Sequence, residues 1–284
     1  MKIISTVKEM QKISLALKTK GETISFVPTM GFLHKGHLSL IKIAKQQADT
    51  VIVSIFVNPT QFGPNEDLDK YPKDFKKDRE LCENEGVDYL FYPDVKEIYP
   101  ENFQTYIELS KLPKYLCGKN RPTHFKGVAT VVTKLFNITQ PDIAIFGKKD
   151  YQQFQIIKQM VKDLHLPIKI IGGEIIREDD GLAMSSRNKY LKSAERESAL
   201  SLSKSLKLAE DLIKKGETNL LLVREEIKKF IESFPYTEID YISTVDPQLL
   251  TNIDNLPKNG FLLALAVKVG RARLIDNQLI KKES

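Results

Sequence analysis

The feature that most constrains the fold of this chain is a set of short, unbroken apolar runs. Residues 50–57 read Thr-Val-Ile-Val-Ser-Ile-Phe-Val, so an extended chain there is apolar on both faces. Similar short apolar runs occur at residues 23–28, 87–92 and 142–146. Strands buried on both faces are typical of parallel sheets that helices cover. Helical stretches separate these runs, so the pattern predicts an α/β fold with a doubly wound, Rossmann-like parallel sheet.

The pattern changes in the last third of the chain. The elements predicted there are helices at 193–215 and 220–234 and strands at 236–245 and 260–275. We place the boundary in the charged segment around residue 177. This predicts a Rossmann-like domain over residues 1–177 and a smaller α+β domain over residues 178–284, which could cap the first.

Composition excludes several classes of protein. No apolar run in the 284 residues is long enough to span a bilayer, so no membrane partner is expected. Two cysteines form neither a disulfide framework nor a zinc spacing, and a reduced, cytoplasmic setting fits best. The net charge of +6 comes from residues spread along the chain, which argues against nucleic acid as a partner. A mild positive excess suits a polyphosphate substrate.

The first group of candidate site residues follows the first predicted strand, where residues 28–37 read Pro-Thr-Met-Gly-Phe-Leu-His-Lys-Gly-His. Backbone N–H groups at a helix start attract phosphate, and Gly31 and Gly36 let the backbone approach it closely. His34 and His37 are three residues apart, so both rings can face the same side of the helix. The pair is also compatible with a simple helix cap. A metal site is a further alternative, but no carboxylate or third histidine stands nearby.

Two further groups follow later strands. Asn58-Pro59 ends the strand at 50–57 and places Gln61 beyond it, although the residues alone favour a solvated loop position for this glutamine. Residues 147–150 read Gly-Lys-Lys-Asp, a turn in which a lysine suits phosphate and Asp150 is a plausible helix cap. Gln153 lies one turn further and would face the same pocket. Pure capping and surface charge are the alternatives for this segment.

These motifs resemble those of a known family. His34-Lys35-Gly36-His37 resembles the His-x-Gly-His signature of the nucleotidyltransferase superfamily, which includes class I aminoacyl-tRNA synthetases and small cytidylyl- and adenylyltransferases. The longer string at 28–37 is similar to that of pantothenate synthetases, also called pantoate–β-alanine ligases. Four more segments resemble motifs of that family in the same order: residues 54–63, 121–132, 146–153 and 184–188. The last is similar to the mobile Lys-Met-Ser-Lys-Ser loop of the superfamily, and the resemblance spans about residues 1 to 275.

The resemblance implies an enzyme that condenses pantoate with β-alanine to pantothenate, a precursor of coenzyme A. It uses ATP, forms a pantoyl adenylate, and releases pyrophosphate and AMP. Mg²⁺ is carried on the phosphates, and the enzyme is a homodimer. The implied catalytic residues are His37, His34 and Lys149, with pantoate at Gln61 and Gln153 and β-alanine at Gln61. The implied ATP contacts are Met30, Gly31, Phe32, Leu33, His34, Lys35, Gly36, His37, Gly147, Lys148, Lys149, Asp150, Ile176, Met184, Ser185, Ser186 and Arg187.

The sequence departs from the family pattern at three positions. Thr123 replaces a more frequent Gly, Lys148 stands where Glu is frequent, and Phe32 fills a position that usually holds a smaller residue. None of the three removes an implied catalytic group.

Two rival functions stay open at this point. One is a nucleotidyltransferase that stops after nucleotide transfer, such as a cytidylyltransferase, against which Gln61 and Gln153 argue. The other is a nucleotide- or RNA-binding relative without catalysis, against which the intact histidines, Lys149 and Arg187 argue.

Overall fold

The structure is a computed structural model that describes residues 1–64, 66 and 68–281. The chain divides into two compact units. The N-terminal unit comprises Met1–Lys114, Gly118–Lys148 and Gln153–Glu174. The C-terminal unit comprises Tyr115–Cys117, Lys149–Gln152 and the chain from Ile175 onward. The two short inserted segments mean that the polypeptide leaves and re-enters the first unit twice.

A six-stranded parallel sheet forms the centre of the N-terminal unit. Its strands are β1 (Lys2–Ile4), β2 (Ile24–Thr29), β3 (Thr50–Ile55), β4 (Tyr89–Phe91), β5 (Ile143–Gly147) and β6 (Lys169–Gly173). They lie in the order β1-β4-β3-β2-β5-β6, and every neighbouring pair is parallel. The predicted α/β class with a doubly wound parallel sheet is therefore confirmed. The four apolar runs became the inner strands, whereas the edge strands β1 and β6 were not predicted.

Helices cover both faces of this sheet. The helices of the first 174 residues are α1 (Val7–Thr19), α2 (Lys35–Lys45), α3 (Phe75–Asn84), α4 (Val95–Ile98), α5 (Cys117–Asn120), α6 (His124–Thr139) and α7 (Tyr151–Asp163). Successive strand residues alternate between two separate apolar clusters, because side chains of a pleated strand point to opposite faces. Phe26 packs in one cluster with Phe136, and Val27 packs in the other with Ile41. No helix within the described residues is long and apolar enough to cross a membrane.

The C-terminal unit contains a three-stranded antiparallel sheet. Its elements are α8 (Ser193–Ala199), α9 (Ser201–Lys214), α10 (Leu220–Glu232), β7 (Thr237–Val245), β8 (Phe261–Val269) and β9 (Ala272–Ile280), with the strands in the order β7-β8-β9. Leu206, Ile227 and Leu265 belong to the apolar cluster of this unit. The predicted smaller α+β part is thus present, and the helix expected at 220–234 and the strand expected at 236–245 correspond to α10 and β7.

Two predicted elements of this unit were wrong in extent. The single helix expected at 193–215 is two helices that meet at Leu200. The single strand expected at 260–275 is the hairpin of β8 and β9, in which Val269 pairs with Ala272 across a two-residue turn. Gly270 adopts a positive φ of 56° in that turn. A turn this short interrupts the apolar pattern too little for periodicity to reveal it.

Candidate functional site

The centre of the parallel sheet contains a change of direction in the chain. β2 lies between β3 and β5, and the chain continues from β2 to β3 on one side and reaches β5 on the other side only after β4. In open α/β sheets, ligands bind outside the carboxyl ends of strands at such a switch point. The turns after β2 and β5 carry the two groups of predicted phosphate-binding residues. The predicted phosphate-binding residues of the N-terminal unit, at 30–37 and Lys148, therefore lie where this fold places ligands.

The turn after β2 has an unusual backbone. Gly31 and Phe32 both have positive φ, of 82° and 53°, a region that residues with a Cβ rarely occupy. The Thr29 hydroxyl accepts a hydrogen bond from the Gly31 N–H at 3.1 Å and donates one to the Ser54 carbonyl at 2.8 Å. A Cβ on Gly31 would lie 2.9 Å from Cγ2 of Ile55. The turn is therefore closely packed and requires glycine at position 31.

The two histidines of the motif lie side by side where α2 begins. His34 is the N-cap of α2, and its Nδ1 accepts a hydrogen bond from the Gly36 N–H at 3.2 Å. Nδ1 of His37 accepts one from the His34 N–H at 3.3 Å. The ring centroids are 4.1 Å apart, so the rings share one side of the turn as their spacing predicts. Because each Nδ1 is an acceptor, each neutral ring carries its proton on Nε2.

Gln61 lies in a short 3₁₀ turn, Pro59–Gln61, beyond the carboxyl end of β3. Its side chain is buried, and its Oε1 accepts a hydrogen bond from Nδ2 of Asn58 at 3.1 Å. Its Nε2 lies 2.9 Å from the sulfur of Met30. The interpretation of Gln61 as a solvated loop residue is therefore wrong. The structure brings Met30 and Gln61, from the ends of two adjacent strands, into contact.

A network of hydrogen bonds around the buried Asn58 supports the turn that carries Gln61. Oδ1 of Asn58 accepts hydrogen bonds from the hydroxyls of Thr60 and Tyr99, at 3.0 and 2.8 Å. Burial raises the pKa of Tyr99 to about 12, so this hydroxyl remains a donor at neutral pH. A Cβ at Gly127 of α6 would lie 2.3 Å from the Thr60 carbonyl oxygen. The sequence assigned no role in this network to Asn58 or Gly127, although both stand within quoted motifs, and Tyr99 lies outside all of them.

The beginning of α6 contacts the same turn. Nδ1 of His124 lies 2.7 Å from the Gln61 carbonyl oxygen, and the Arg121 guanidinium donates to that oxygen at 3.3 Å. Arg121 also forms an ion pair with Glu66. Burial acts to raise the pKa of Glu66, but the hydrogen bonds and charge of Arg121 outweigh it, and the net shift is downward. The segment at 121–132 thus anchors the backbone of Gln61.

The turn after β5 carries two adjacent lysines with different partners. Lys148, in the N-terminal unit, forms an ion pair with Glu174. Lys149, in the C-terminal unit, has its Nζ 3.7 Å from Oδ2 of Asp150, and its carbonyl accepts a hydrogen bond from Asn277 at 2.9 Å. Gln153 is half-buried in the first turn of α7. The two lysines are therefore not equivalent.

The remaining candidate residues form one loop of the C-terminal unit. The Met184 N–H donates to the Ile176 carbonyl at 2.9 Å, which places these two residues side by side. Ser185 caps the following 3₁₀ helix, and its hydroxyl accepts a hydrogen bond from the Arg187 N–H at 3.3 Å. Ser186 is the first residue of that helix, Ser186–Tyr190. Five of the predicted ATP contacts thus lie in one continuous structure.

The described part of the chain contains no group of three or more histidine, cysteine or acidic side chains arranged to hold a metal ion. A divalent ion that arrives on a triphosphate needs few protein ligands, because phosphate oxygens and water fill its coordination sphere.

Comparison with known proteins gives one consistent result. The profile of the family described as Pantoate-beta-alanine ligase matches residues 2–279. The pantothenate synthetase of Thermotoga petrophila is 52% identical over 280 residues, covering 99% of this chain and 100% of that protein. The pantothenate synthetase of Desulforapulum autotrophicum is 53% identical, with complete coverage of both chains.

Solved structures agree with the sequence relatives. The crystal structure of pantothenate synthetase from Thermus thermophilus is similar with a TM-score of 0.94 and 40% identity, covering 99% of this chain and 100% of that one. The pantoate-beta-alanine ligase from Francisella tularensis, described as complexed with beta-gamma ATP and beta-alanine, has a TM-score of 0.80 and 40% identity, with coverage of 98% and 97%. On sequence, fold and the arrangement of its motifs, the chain belongs to the pantoate–β-alanine ligase family.

Proposed function

We propose that this ligase works through two half-reactions at the carboxyl edge of its parallel sheet. In the first, a carboxylate oxygen of pantoate attacks the α-phosphorus of ATP, and pyrophosphate leaves, giving pantoyl adenylate. In the second, the amine of β-alanine attacks the acyl carbon, a proton is lost from nitrogen, and AMP leaves with the electrons of the cleaved C–O bond. The products are pantothenate, AMP and pyrophosphate.

One observation carries this proposal: the paired imidazoles at the start of α2. Both Nδ1 atoms accept backbone N–H groups, so the two Nε2–H groups are the donors that each neutral ring can offer. Adenylation develops negative charge on the phosphate oxygens, and preorganised donors at a helix N-terminus stabilise such charge without reorganising. His34 and His37 are therefore the proposed stabilisers of the adenylation transition state.

Residues outside the turn are proposed as further ATP ligands on chemical grounds. Lys149 is a cation after the carboxyl end of β5, and Arg187 with the hydroxyls of Ser185 and Ser186 offers several donors to phosphate oxygens. ATP is expected to enter as its magnesium complex, with the metal on the phosphates. The structure of the Francisella tularensis relative with a nucleotide and β-alanine supports ATP and β-alanine as substrates.

Two glutamines are proposed to orient pantoate. Gln61 is fixed by Asn58 and Met30 at the end of β3, and a buried amide held in one orientation suits recognition of a small hydroxy acid. Gln153 lies in the first turn of the helix that follows β5. Gln61 is also the proposed contact of β-alanine. Holding the acid close to the α-phosphorus supplies a proximity effect.

We further propose that the enzyme is a cytoplasmic homodimer. The cytoplasmic setting is supported by Cys82 and Cys117, which are both buried and unbridged, as expected in a reducing compartment. The dimer rests on the family resemblance. Light scattering on the purified protein tests it, and a mass of one chain across a wide concentration range would contradict it.

Mass spectrometry of the products from ATP, pantoate and β-alanine tests the reaction. Pantothenate and AMP in equal amounts are expected. Pyrophosphate exchange into ATP, with and without pantoate, separates the rivals: an adenylating ligase shows pantoate-dependent exchange, and a non-catalytic nucleotide binder shows none. Stable nucleotidyl product without pantothenate would indicate a transferase that stops after the first step.

A further inference from the structure

Helix α3 contributes one residue that is almost completely buried and that the proposed mechanism does not use. Asp78 is only 2% exposed, although its neighbours Lys77 and Arg79 face solvent. Burying a carboxylate without compensating hydrogen bonds is costly, so a charged side chain in this position needs specific partners. Its partners lie in the turn after β2, far earlier in the chain.

Both carboxylate oxygens of Asp78 accept backbone N–H groups from that turn. Oδ2 lies 2.7 Å from the Phe32 nitrogen, and Oδ1 lies 2.6 Å from the Leu33 nitrogen. Consecutive N–H groups after left-handed residues form a concave, anion-binding arrangement, and here a side chain of the protein occupies it. Short charge-assisted bonds of this kind are about twice as strong as neutral ones.

The backbone at this point needs support. Phe32 is a non-glycine residue with a φ of 53°, and such conformations persist only where surrounding structure determines them. A Cβ on Gly31 would lie 3.0 Å from Oδ2 of Asp78, so the carboxylate is packed directly against the turn. Asp78 thus packs against the turn whose backbone conformation places His34 at the N-cap of α2.

We infer that Asp78 is a positioning residue for adenylation: it fixes the left-handed turn at Gly31-Phe32 and thereby sets the position of the His34 and His37 rings. Asp78 acts through the backbone of Phe32 and Leu33. Burial raises the pKa of this carboxyl, and the two N–H bonds offset the rise only in part. The inference rests on the proposed roles of the two histidines.

The substitution Asp78→Asn separates positioning from folding. The amide keeps the shape of the side chain but presents an NH₂ group to one of the two backbone donors, so that bond is lost. We expect the single-turnover rate of adenylation per folded molecule to fall about 100-fold, a loss typical of a misplaced catalytic group. The KM for β-alanine in the second half-reaction should change less than about twofold, because the turn is not a proposed contact of that substrate.

Asp74→Asn is the matched control on the same helix. Asp74 is an exposed carboxylate that caps α3 by accepting the Lys77 N–H at 3.1 Å, and it makes no hydrogen bond to the turn after β2 among those described. This variant removes a charge from the same helix but keeps the cap, because Asn and Asp cap helices about equally well, and it should leave the adenylation rate per folded molecule within about twofold of wild type. Equal rate losses in Asp78→Asn and Asp74→Asn would show that the loss does not depend on the bonds of Asp78 to the turn and would overturn the inference.

Two further measurements keep the test decisive. In a double-mutant cycle, Asp78→Asn should add almost nothing to the rate loss of the variant in which both His34 and His37 are replaced by Ala, because the groups that the turn positions are then already absent. Nitrogen NMR of labelled histidine should show an unprotonated Nδ1 in His34 and His37 of the wild type and a changed pattern in Asp78→Asn.

If Asp78→Asn does not fold, Asp78→Glu keeps the charge but lengthens the side chain by one methylene, which moves the carboxylate off the two N–H groups and should give the same kinetic loss. Additive losses in the background that lacks both histidines, or unchanged histidine spectra, would overturn the role of Asp78. A His34→Ala variant of normal rate would instead overturn the proposed function.

Discussion

Two turns of the molecule are predicted to serve the same triphosphate, but they are built differently. The turn after β2 presents imidazoles whose Nδ1 atoms are fixed by backbone N–H groups within three residues. The turn after β5 presents lysines on long side chains, each with a carboxylate partner at its charged end. The first turn fixes the direction of its hydrogen-bond donors, whereas the second supplies positive charge on long side chains. A group with a fixed direction is expected to contribute more to the transition state than to ground-state binding.

His37→Ala gives the largest expected effect. Removing one preorganised donor costs about 3–4 kcal/mol of barrier, so the single-turnover adenylation rate should fall roughly 100- to 1,000-fold. Lys42→Ala, an exposed change on the same helix, is the control and should leave the rate unchanged. A His37→Ala rate within a few-fold of wild type would remove the contrast between the two turns.

Lys149→Ala comes next. Loss of a cation that contacts phosphate should reduce pantoate-dependent pyrophosphate exchange about 100-fold at saturating ATP and pantoate. The KM for ATP should also rise, because a mobile charge binds the ground state as well. Circular dichroism confirms that the fold is retained. If only kcat changes, Lys149 behaves like the histidines, and the proposed difference between fixed imidazole donors and a mobile lysine charge is wrong.

Gln153→Ala should have an effect about ten times smaller, and on a different ligand. Removing one hydrogen bond to a charged group costs about 1.5 kcal/mol, so the Kd for pantoate should rise about tenfold while that for ATP changes little. Titration calorimetry measures both. Gln159→Ala on the same helix is the control, since Gln159 bonds to Asp163. Equal losses for pantoate and ATP would mean that Gln153 supports the helix rather than the substrate.

Lys148→Ala gives the smallest expected effect, within about twofold on exchange. Lys148 already pairs with Glu174, and loss of a partly exposed charge changes stability by no more than about 0.5 kcal/mol. Lys148→Glu should be mildly less stable, because it would place a second carboxylate near Glu174. If Lys148→Ala is the damaging change and Lys149→Ala the mild one, the register of this motif is wrong.

Local signals in the sequence predicted the inner sheet and the positions of the motifs. The run at 50–57 is apolar on both faces, and β3 is buried along its whole length. Three-residue spacing placed the histidine rings on one side. Edge strand β1 was not predicted, because a strand of three residues is too short to show an apolar pattern.

Contacts between segments that lie far apart in the chain could not be predicted from the sequence. Asp78 stands in a stretch of alternating charges that reads as a solvated helix, and only the pairing of α3 with a turn 45 residues earlier shows its burial. The same holds for Gln61, whose burial depends on α6, which begins 63 residues later at His124.

The order of strands also bears on how the chain is made. β2 pairs with β3, the next strand along the chain, on one edge. On its other edge it pairs with β5, which comes much later in the chain, with Ser25 opposite Ile143. Until that segment leaves the ribosome, the nascent chain carries an apolar strand with one unpaired edge, which is a template for aggregation. Fragments that end before residue 143 are expected to be insoluble, and efficient synthesis should depend on chaperones that shield this edge.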